Sequence, residues 1–431
     1  MLLIKGGRII DPANNLDKIG DILIDQGKIA AVGDTVEPTE DMQILDVKGM
    51  IVTPGLIDMH VHLREPGQEY KETIESGVKA AVAGGFTAVC PMPNTLPVMD
   101  TYSIVSYVKS KGHALGLAKV FPIAAITKES LGKELAEMAD LQEAGAVAFS
   151  DDGMPVMNPA IMRRAFEYAR PLAVPIISHS EDKHLAEDGV MHEGLMSTKL
   201  GLKGIPAAAE EVAVARDLLL AETTGGKLHL AHISTARSVE MVRLAKKRGI
   251  NVTAEATPHH FTLTDADVVD YNTNTKVNPP LRIAKDREAV IEGLRDGTID
   301  VIATDHAPHA IEDKDVEYDL APFGLIGLET ALPLVVSKLI DSGRLNWMQV
   351  VAALSTNPAR ILNLAGGTLS ISSEADITVI NPELVRTVDS SKFASKAKNT
   401  PFEGWTLKGW VEYTLVNGKV VYRRQTKGGL K

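Results

Sequence analysis

Between residues 51 and 304 apolar runs of strand length alternate with amphipathic helical stretches, and this alternation restricts the fold more than any other feature of the chain. The strand-length runs fall at 51–62, 87–93, 118–126, 146–150, 174–179, 227–232, 250–256 and 300–304. Helical periodicity falls between several of them, at 131–144, 158–170, 205–223, 236–248 and 286–296. Parallel strands need a long crossover, which a helix supplies, so the pattern predicts parallel βα units. Eight such units predict an α/β fold of the (β/α)8 TIM-barrel type. An open doubly wound sheet is the competing arrangement, but no glycine-rich phosphate loop follows any of the strands.

The two ends of the chain read differently. Short alternating strands are predicted at 3–10, 21–32, 375–380 and 413–422, the last containing an Asn417-Gly418 turn. With 431 residues there is room for a barrel of about 250 residues and a smaller module. The expected division is a metal-dependent barrel at 54–365 and a β-sandwich-like composite domain built from 1–53 and 366–431.

A formal net charge of −11, with no lysine or arginine cluster to offset it, argues against a nucleic-acid partner. No apolar run approaches the ~18 residues of a spanning helix, and the first residues do not read as a signal peptide, so a cytoplasmic protein without a membrane partner is expected. The single cysteine, Cys90, excludes an intrachain disulfide and any thiolate-rich zinc site. Metal, if held, must be held by histidine and carboxylate.

Barrel enzymes carry their chemistry at the carboxyl ends of the strands. Here those ends read His60-Val61-His62-Leu63-Arg64, Met92-Pro93-Asn94, Ser150-Asp151-Asp152, Ser178-His179-Ser180, Ala231-His232-Ile233 and Thr304-Asp305-His306. Side chains two apart on a strand share a face, so His60 and His62 can grip one cation. A lone barrel histidine is more often packing than ligand, but four histidines and two aspartates at matching strand ends are too systematic for that. Imidazole and carboxylate without thiolate suit zinc, with manganese, cobalt or iron as competitors. Adjacent Asp151 and Asp152 face opposite ways, and periodicity does not choose between them. His229 is expected to pack inside its strand, and His259 and His260 to be structural or to stand outside the ligand set.

These residues carry a resemblance to the amidohydrolase superfamily, and within it to the bacterial class I dihydroorotases. It rests on Asp58-Met59-His60-Val61-His62-Leu63-Arg64-Glu65-Pro66-Gly67, Met92-Pro93-Asn94-Thr95, Val277-Asn278-Pro279-Pro280-Leu281-Arg282, Ala303-Thr304-Asp305-His306-Ala307-Pro308-His309 and Asn399-Thr400-Pro401-Phe402. The resemblance implies reversible zinc-dependent hydrolysis of the cyclic amide of L-dihydroorotate to N-carbamoyl-L-aspartate, in pyrimidine biosynthesis. It implies one or two zinc ions, one on His60, His62 and Asp305 and the other on His179 and His232, with Asp152 as bridge. Asp305 would serve as catalytic base and acid. Arg64 would bind the substrate carboxylate, with Asn94, Asn278, His309 and the backbone near Phe323 and Gly324 completing the substrate contacts. A homodimer is implied, and an aspartate carbamoyltransferase is a candidate partner. Hydantoinases and allantoinases, the nearest alternative, bridge their metals with a modified lysine after the fourth strand, where this chain has Ser150-Asp151-Asp152. A catalytically dead scaffold subunit is disfavoured because none of the six ligands is missing.

Overall fold

The structure, a computed structural model, describes residues 1–40 and 42–425. Both chain ends meet in one eight-stranded sheet. Its order is Lys419–Arg423, Thr406–Val416, Ile377–Thr387, Ile51–Pro54, Leu2–Asp11, Leu16–Asp25 and Lys28–Val32, with Gln43–Asp46 also paired to Leu2–Asp11. Alternate residues of these strands, among them Ile4, Ile9, Ile22, Val52, Ile377, Val379 and Leu415, bury a shared apolar face. The turn at Asn417-Gly418 has positive φ at both residues, 49° and 74°, as a two-residue hairpin of the twist-matching kind requires.

The remaining strands form a parallel barrel: Leu56–Val61, Phe86–Pro91, Lys119–Val120 continued by Ile123–Ala124, Ala148–Ser150, Ile176–Ser178, Leu228–Leu230, Val252–Ala256 and Val301–Ile302. The last strand closes on the first through a parallel bridge between Val61 and His306, with His62 N donating to His306 O at 2.8 Å. Asp58 reinforces the seam by accepting from Thr304 N at 3.1 Å and Thr304 Oγ1 at 2.5 Å. Met59, Cys90, Ile123, Ala148, Ile177 and Val301 fill the barrel interior, so Cys90 is a buried packing residue. Outward-facing Val61, Val89, Phe149, Ile176 and Leu228 join the larger core beneath the helices.

Three expected elements divide differently. The run at 51–62 is two strands, because Ile51–Pro54 pairs antiparallel with Ile377–Thr387 while Leu56–Val61 enters the barrel. Gly55 is the crossing point, and a Cβ there would lie 2.1 Å from Thr87 Oγ1, which leaves glycine as the only residue that fits. The run at 118–126 breaks at Pro122, which has no N–H to give the ladder. The helix expected at 131–144 begins only at Met138, because Gly132 is left-handed at φ 68° and Lys128 N and Ala136 N pair with Glu134 O and Ile126 O instead. Among the described residues, no helix is long and apolar enough to cross a membrane.

Candidate metal centre and substrate cleft

Strand ends bring the six expected ligands into one buried cluster. His62 Nε2 lies 3.0 Å from Asp305 Oδ1, and His60 Nε2 lies 3.5 Å from the same oxygen. Asp152 stands in the middle, 3.5 Å from His60 Nε2, 3.5 Å from His62 Nε2, 3.4 Å from His179 Nδ1 and 3.6 Å from His232 Nε2. His179 Nδ1 and His232 Nε2 approach each other to 3.0 Å. Two sets of ligand atoms, His60, His62 and Asp305 on one side and His60, Asp152 and His232 on the other, each converge within 4.8 Å. His60 Nε2 and Asp152 Oδ1 are buried without hydrogen-bond partners. Orphaned buried lone pairs are costly, and a divalent cation is the group that would satisfy them together. The donor set fits a metal.

Electrostatics agree with that fit. Burial opposes ionisation of Asp305 and Asp152, yet neighbouring imidazoles hold both carboxyls well below the usual range. Burial likewise opposes a charge on His60, but Asp152, Glu255 and Asp305 outweigh it and raise its pKa. The cluster is therefore rich in anionic oxygen and hungry for positive charge.

The other nitrogen of two imidazoles is fixed from behind. His60 Nδ1 is 2.6 Å from Glu255 Oε1 and His62 Nδ1 is 2.8 Å from Asn94 Oδ1, whereas His179 Nε2, 3.5 Å from Glu181 Oε2, makes no hydrogen bond among the described residues. A donor nitrogen held by an oxygen leaves the opposite nitrogen as the lone pair aimed at the centre. His229, expected only to pack, instead places Nε2 3.0 Å from Glu255 Oε2 and Nδ1 2.8 Å from Thr253 Oγ1. Glu255 was not singled out by the sequence. The available signal was a glutamate among alanines in a strand buried on both faces, where a carboxylate without partners does not persist.

Asp151 turns away from the centre. It accepts from Ile126 N at 2.8 Å and Thr127 N at 3.1 Å, and takes a short bond from Thr127 Oγ1. His260 bonds Thr257 Oγ1 and the Pro279 carbonyl, bracing the Asn278-Pro279 turn, whereas His259 is buried with both ring nitrogens unpartnered among the described residues.

A cleft of about 340 Å³ opens above the cluster, lined by Arg64, Asn94, Asn278, His309, Phe323 and Gly324 together with the aspartates and histidines. Arg64 leaves the first barrel strand with left-handed φ of 62°, and its Nε donates to Pro308 O at 3.1 Å while Nη2 stands 3.4 Å from His309 Nε2. His309 Nε2 lies 2.9 Å from Phe323 O and its Nδ1 3.4 Å from Lys71 Nζ. Asn94 commits its oxygen to His62 while its amide nitrogen has no hydrogen-bond partner among the described residues, and Asn278 Nδ2 donates to Glu181 Oε1 at 3.2 Å. Glu65 points away. It accepts from Tyr107 Oη at 2.7 Å, pairs with Lys111, and caps the helix Ile74–Ala83 through Ile74 N at 2.9 Å.

A parallel eight-stranded barrel with histidine and aspartate at its strand ends, joined to a sheet from both termini, is the architecture of the amidohydrolases. An Amidohydrolase family profile matches residues 326–422, and a Dihydro-orotase-like profile matches residues 49–238. An L-hydantoinase (dihydropyrimidinase) structure from Arthrobacter aurescens superposes with a TM-score of 0.89 at 26% identity, covering 98% of this chain and 96% of that one. Dihydroorotase from Pelotomaculum thermopropionicum is 59% identical over 97% of this chain and 98% of its own. Dihydroorotase from Syntrophus aciditrophicus is 57% identical over 98% and 99%. The chain belongs to the dihydroorotase family.

Proposed function

We propose that this protein interconverts L-dihydroorotate and N-carbamoyl-L-aspartate, the ring-opening step of pyrimidine biosynthesis, with zinc held by His60, His62, Asp305, His179 and His232 and with Asp152 shared between two ions. The observation that carries the reading is a buried guanidinium, Arg64, in the same cleft as the histidine and aspartate cluster. A planar guanidinium pairs with a carboxylate in a two-pronged geometry, which suits a cyclic amide bearing an exocyclic carboxylate. When bound, the metal supplies Lewis acidity and lowers the pKa of water from about 15.7 toward 7.

The chain's own residues divide the remaining work. Asp305 Oδ1 faces the two imidazoles, leaving Oδ2 to take a proton from the attacking water and pass it to the ring nitrogen as the amide C–N bond breaks; the reverse reaction uses the same carboxylate in the opposite sense. Arg64 and His309 orient the carboxylate end. Asn94 and Asn278 supply neutral donors to the ring, and the backbone at 323–324 closes the far wall. Residues 54–365 then form the catalytic barrel, with 1–53 and 366–431 as a supporting module. Homodimer formation, docking of an aspartate carbamoyltransferase and a cytoplasmic setting belong to the same reading, and sedimentation with and without that enzyme tests the first two.

Dihydroorotate hydrolysis should vanish on chelation and return with zinc. Equal rates before and after chelation would overturn the metal assignment. Turnover of hydantoin or allantoin with none of dihydroorotate would overturn the substrate.

A further inference from the structure

Two lysines behind the substrate cleft are buried without any carboxylate partner. Lys276 is 2% exposed and Lys314 is 8% exposed, and among the described residues neither ammonium has an acidic oxygen within 4.0 Å. Lys314 Nζ donates instead to Thr273 O at 3.0 Å and Pro322 O at 2.7 Å. Lys276 Nζ donates to Asp319 O at 3.0 Å and lies 4.8 Å above the Phe323 ring, while its own carbonyl accepts from Gly324 N at 2.8 Å. Both therefore grip the segment that ends in the cleft wall at Phe323 and Gly324. Burying a bare ammonium is expensive, and burial lowers the pKa of both, with Lys276, Arg64 and Lys71 lowering that of Lys314 further. Asp319 and Asp313 partly offset this by raising the pKa of Lys276 and Lys314 respectively, but neither carboxylate forms an ion pair with them; Asp313 lies 3.4 Å from Lys71 instead. A protein of net charge −11 thus keeps two lysines without a carboxylate partner, their pKa values lowered to about 8 and about 7, beside the end of the cleft that holds Arg64 and His309, where an anionic ligand would favour their charged forms.

We propose that Lys276 and Lys314 are specificity-determining positioning residues: they set the 322–324 wall in place and supply the positive potential that selects a carboxylate-bearing ring over a neutral one. The proposal rests on the substrate class argued above. Bare main-chain carbonyls could have been satisfied by neutral donors, so the two charges themselves call for an explanation, and an anionic ligand is the group that would neutralise them. A unit charge roughly 8–10 Å from an anion in a medium of effective dielectric constant about 20–40 is worth about a 4- to 30-fold change in binding.

The test uses the zinc-loaded full-length protein with Lys276→Met or Lys314→Met, each checked by thermal melting. For each protein one measures KM and kcat for dihydroorotate, and competitive inhibition by the oxidised ring bearing a carboxylate against the same ring bearing a carboxamide. The proposal expects the preference for carboxylate over carboxamide to fall by about 4- to 30-fold in either variant, with KM rising and kcat within about threefold. A merely structural clamp would weaken both inhibitors equally, and an unchanged preference in both variants would overturn the inference. Failure of the unsubstituted holoenzyme to turn over dihydroorotate would instead sink the functional reading beneath it.

Discussion

Replacing Glu255 by glutamine should weaken metal binding while leaving the fold intact. In the structure Glu255 is fully buried and serves three donors: His60 Nδ1 at 2.6 Å, His229 Nε2 at 3.0 Å and His232 N at 3.3 Å. The carboxylate makes His60 a better ligand by pulling on the proton at Nδ1, and it fixes the ring's orientation. Glutamine keeps one acceptor oxygen for His60 but loses the charge, and its amide nitrogen meets His229, which can move its proton to Nδ1 and donate to Thr253 Oγ1, now 2.8 Å away. The hydrogen-bond count is nearly preserved, so the melting temperature without metal should move little. Loss of a charged carboxylate behind a metal-bound imidazole typically costs about 10- to 100-fold in affinity, or roughly 1.4–2.7 kcal/mol. Competition against a chromophoric chelator reads this directly on purified protein, with no dependence on turnover. Affinity within twofold of the unsubstituted protein, at unchanged melting temperature, would refute the claim that Glu255 acts on the metal through His60.

The neighbouring aspartates should separate cleanly. Asp152→Ala should lower bound metal per chain, whereas Asp151→Ala should retain metal but lose about 2–4 kcal/mol of stability, because three donors from Ile126 and Thr127 are left unpaired; metal analysis beside denaturant melts distinguishes the two. Arg64→Gln should raise KM for dihydroorotate at least about tenfold with little change in melting, since a charge-assisted pair to the carboxylate is lost, and steady-state kinetics would detect a failure of this expectation. Far from the centre, Glu329 accepts from Ala394 N and Ser395 N at 3.1 Å each, and burial pushes its carboxyl up to about 7. A raised folded-state pKa means the folded protein holds the proton more tightly, so stability is lost as pH rises from the unfolded carboxyl value near about 4.5 through about 7. Glu329→Gln should match the unsubstituted protein at pH 5 and melt higher at pH 8; equal melting at both pH values would contradict the burial argument.

What the sequence revealed and what it hid follow from distance along the chain. Strand-end residues such as His60, His62 and Asp305 were readable because each sits at a local change from apolar to polar, and the barrel rule assigns that place a meaning. The choice of Asp152 over Asp151 was not readable from alternation, since the strand ends at Ser150 and the following residues obey no two-residue period. Glu255 stayed hidden because its principal partner, His60, is 195 residues away. His229 was read as packing for the same reason: its role exists only once the sixth and seventh barrel strands lie side by side. The split at Gly55 was equally invisible, because both halves of the run are apolar and only tertiary pairing sends them to different sheets.

The barrel seam has a consequence for how the protein matures. Asp58 and Thr304 join across 246 residues of chain, and His60 and His62 stand on one side of that seam with Asp305 on the other. Bringing such distant segments together costs about 5 kcal/mol of loop-closure entropy. A cation coordinated by both sides binds the closed ring and not the open one, and at a thousandfold excess over its dissociation constant it offsets about 4 kcal/mol of that cost. Ion uptake and ring closure are then one linked equilibrium. A chain without its cation lacks that contribution, so metal supply would set the stability of the closed barrel as well as how fast the protein works.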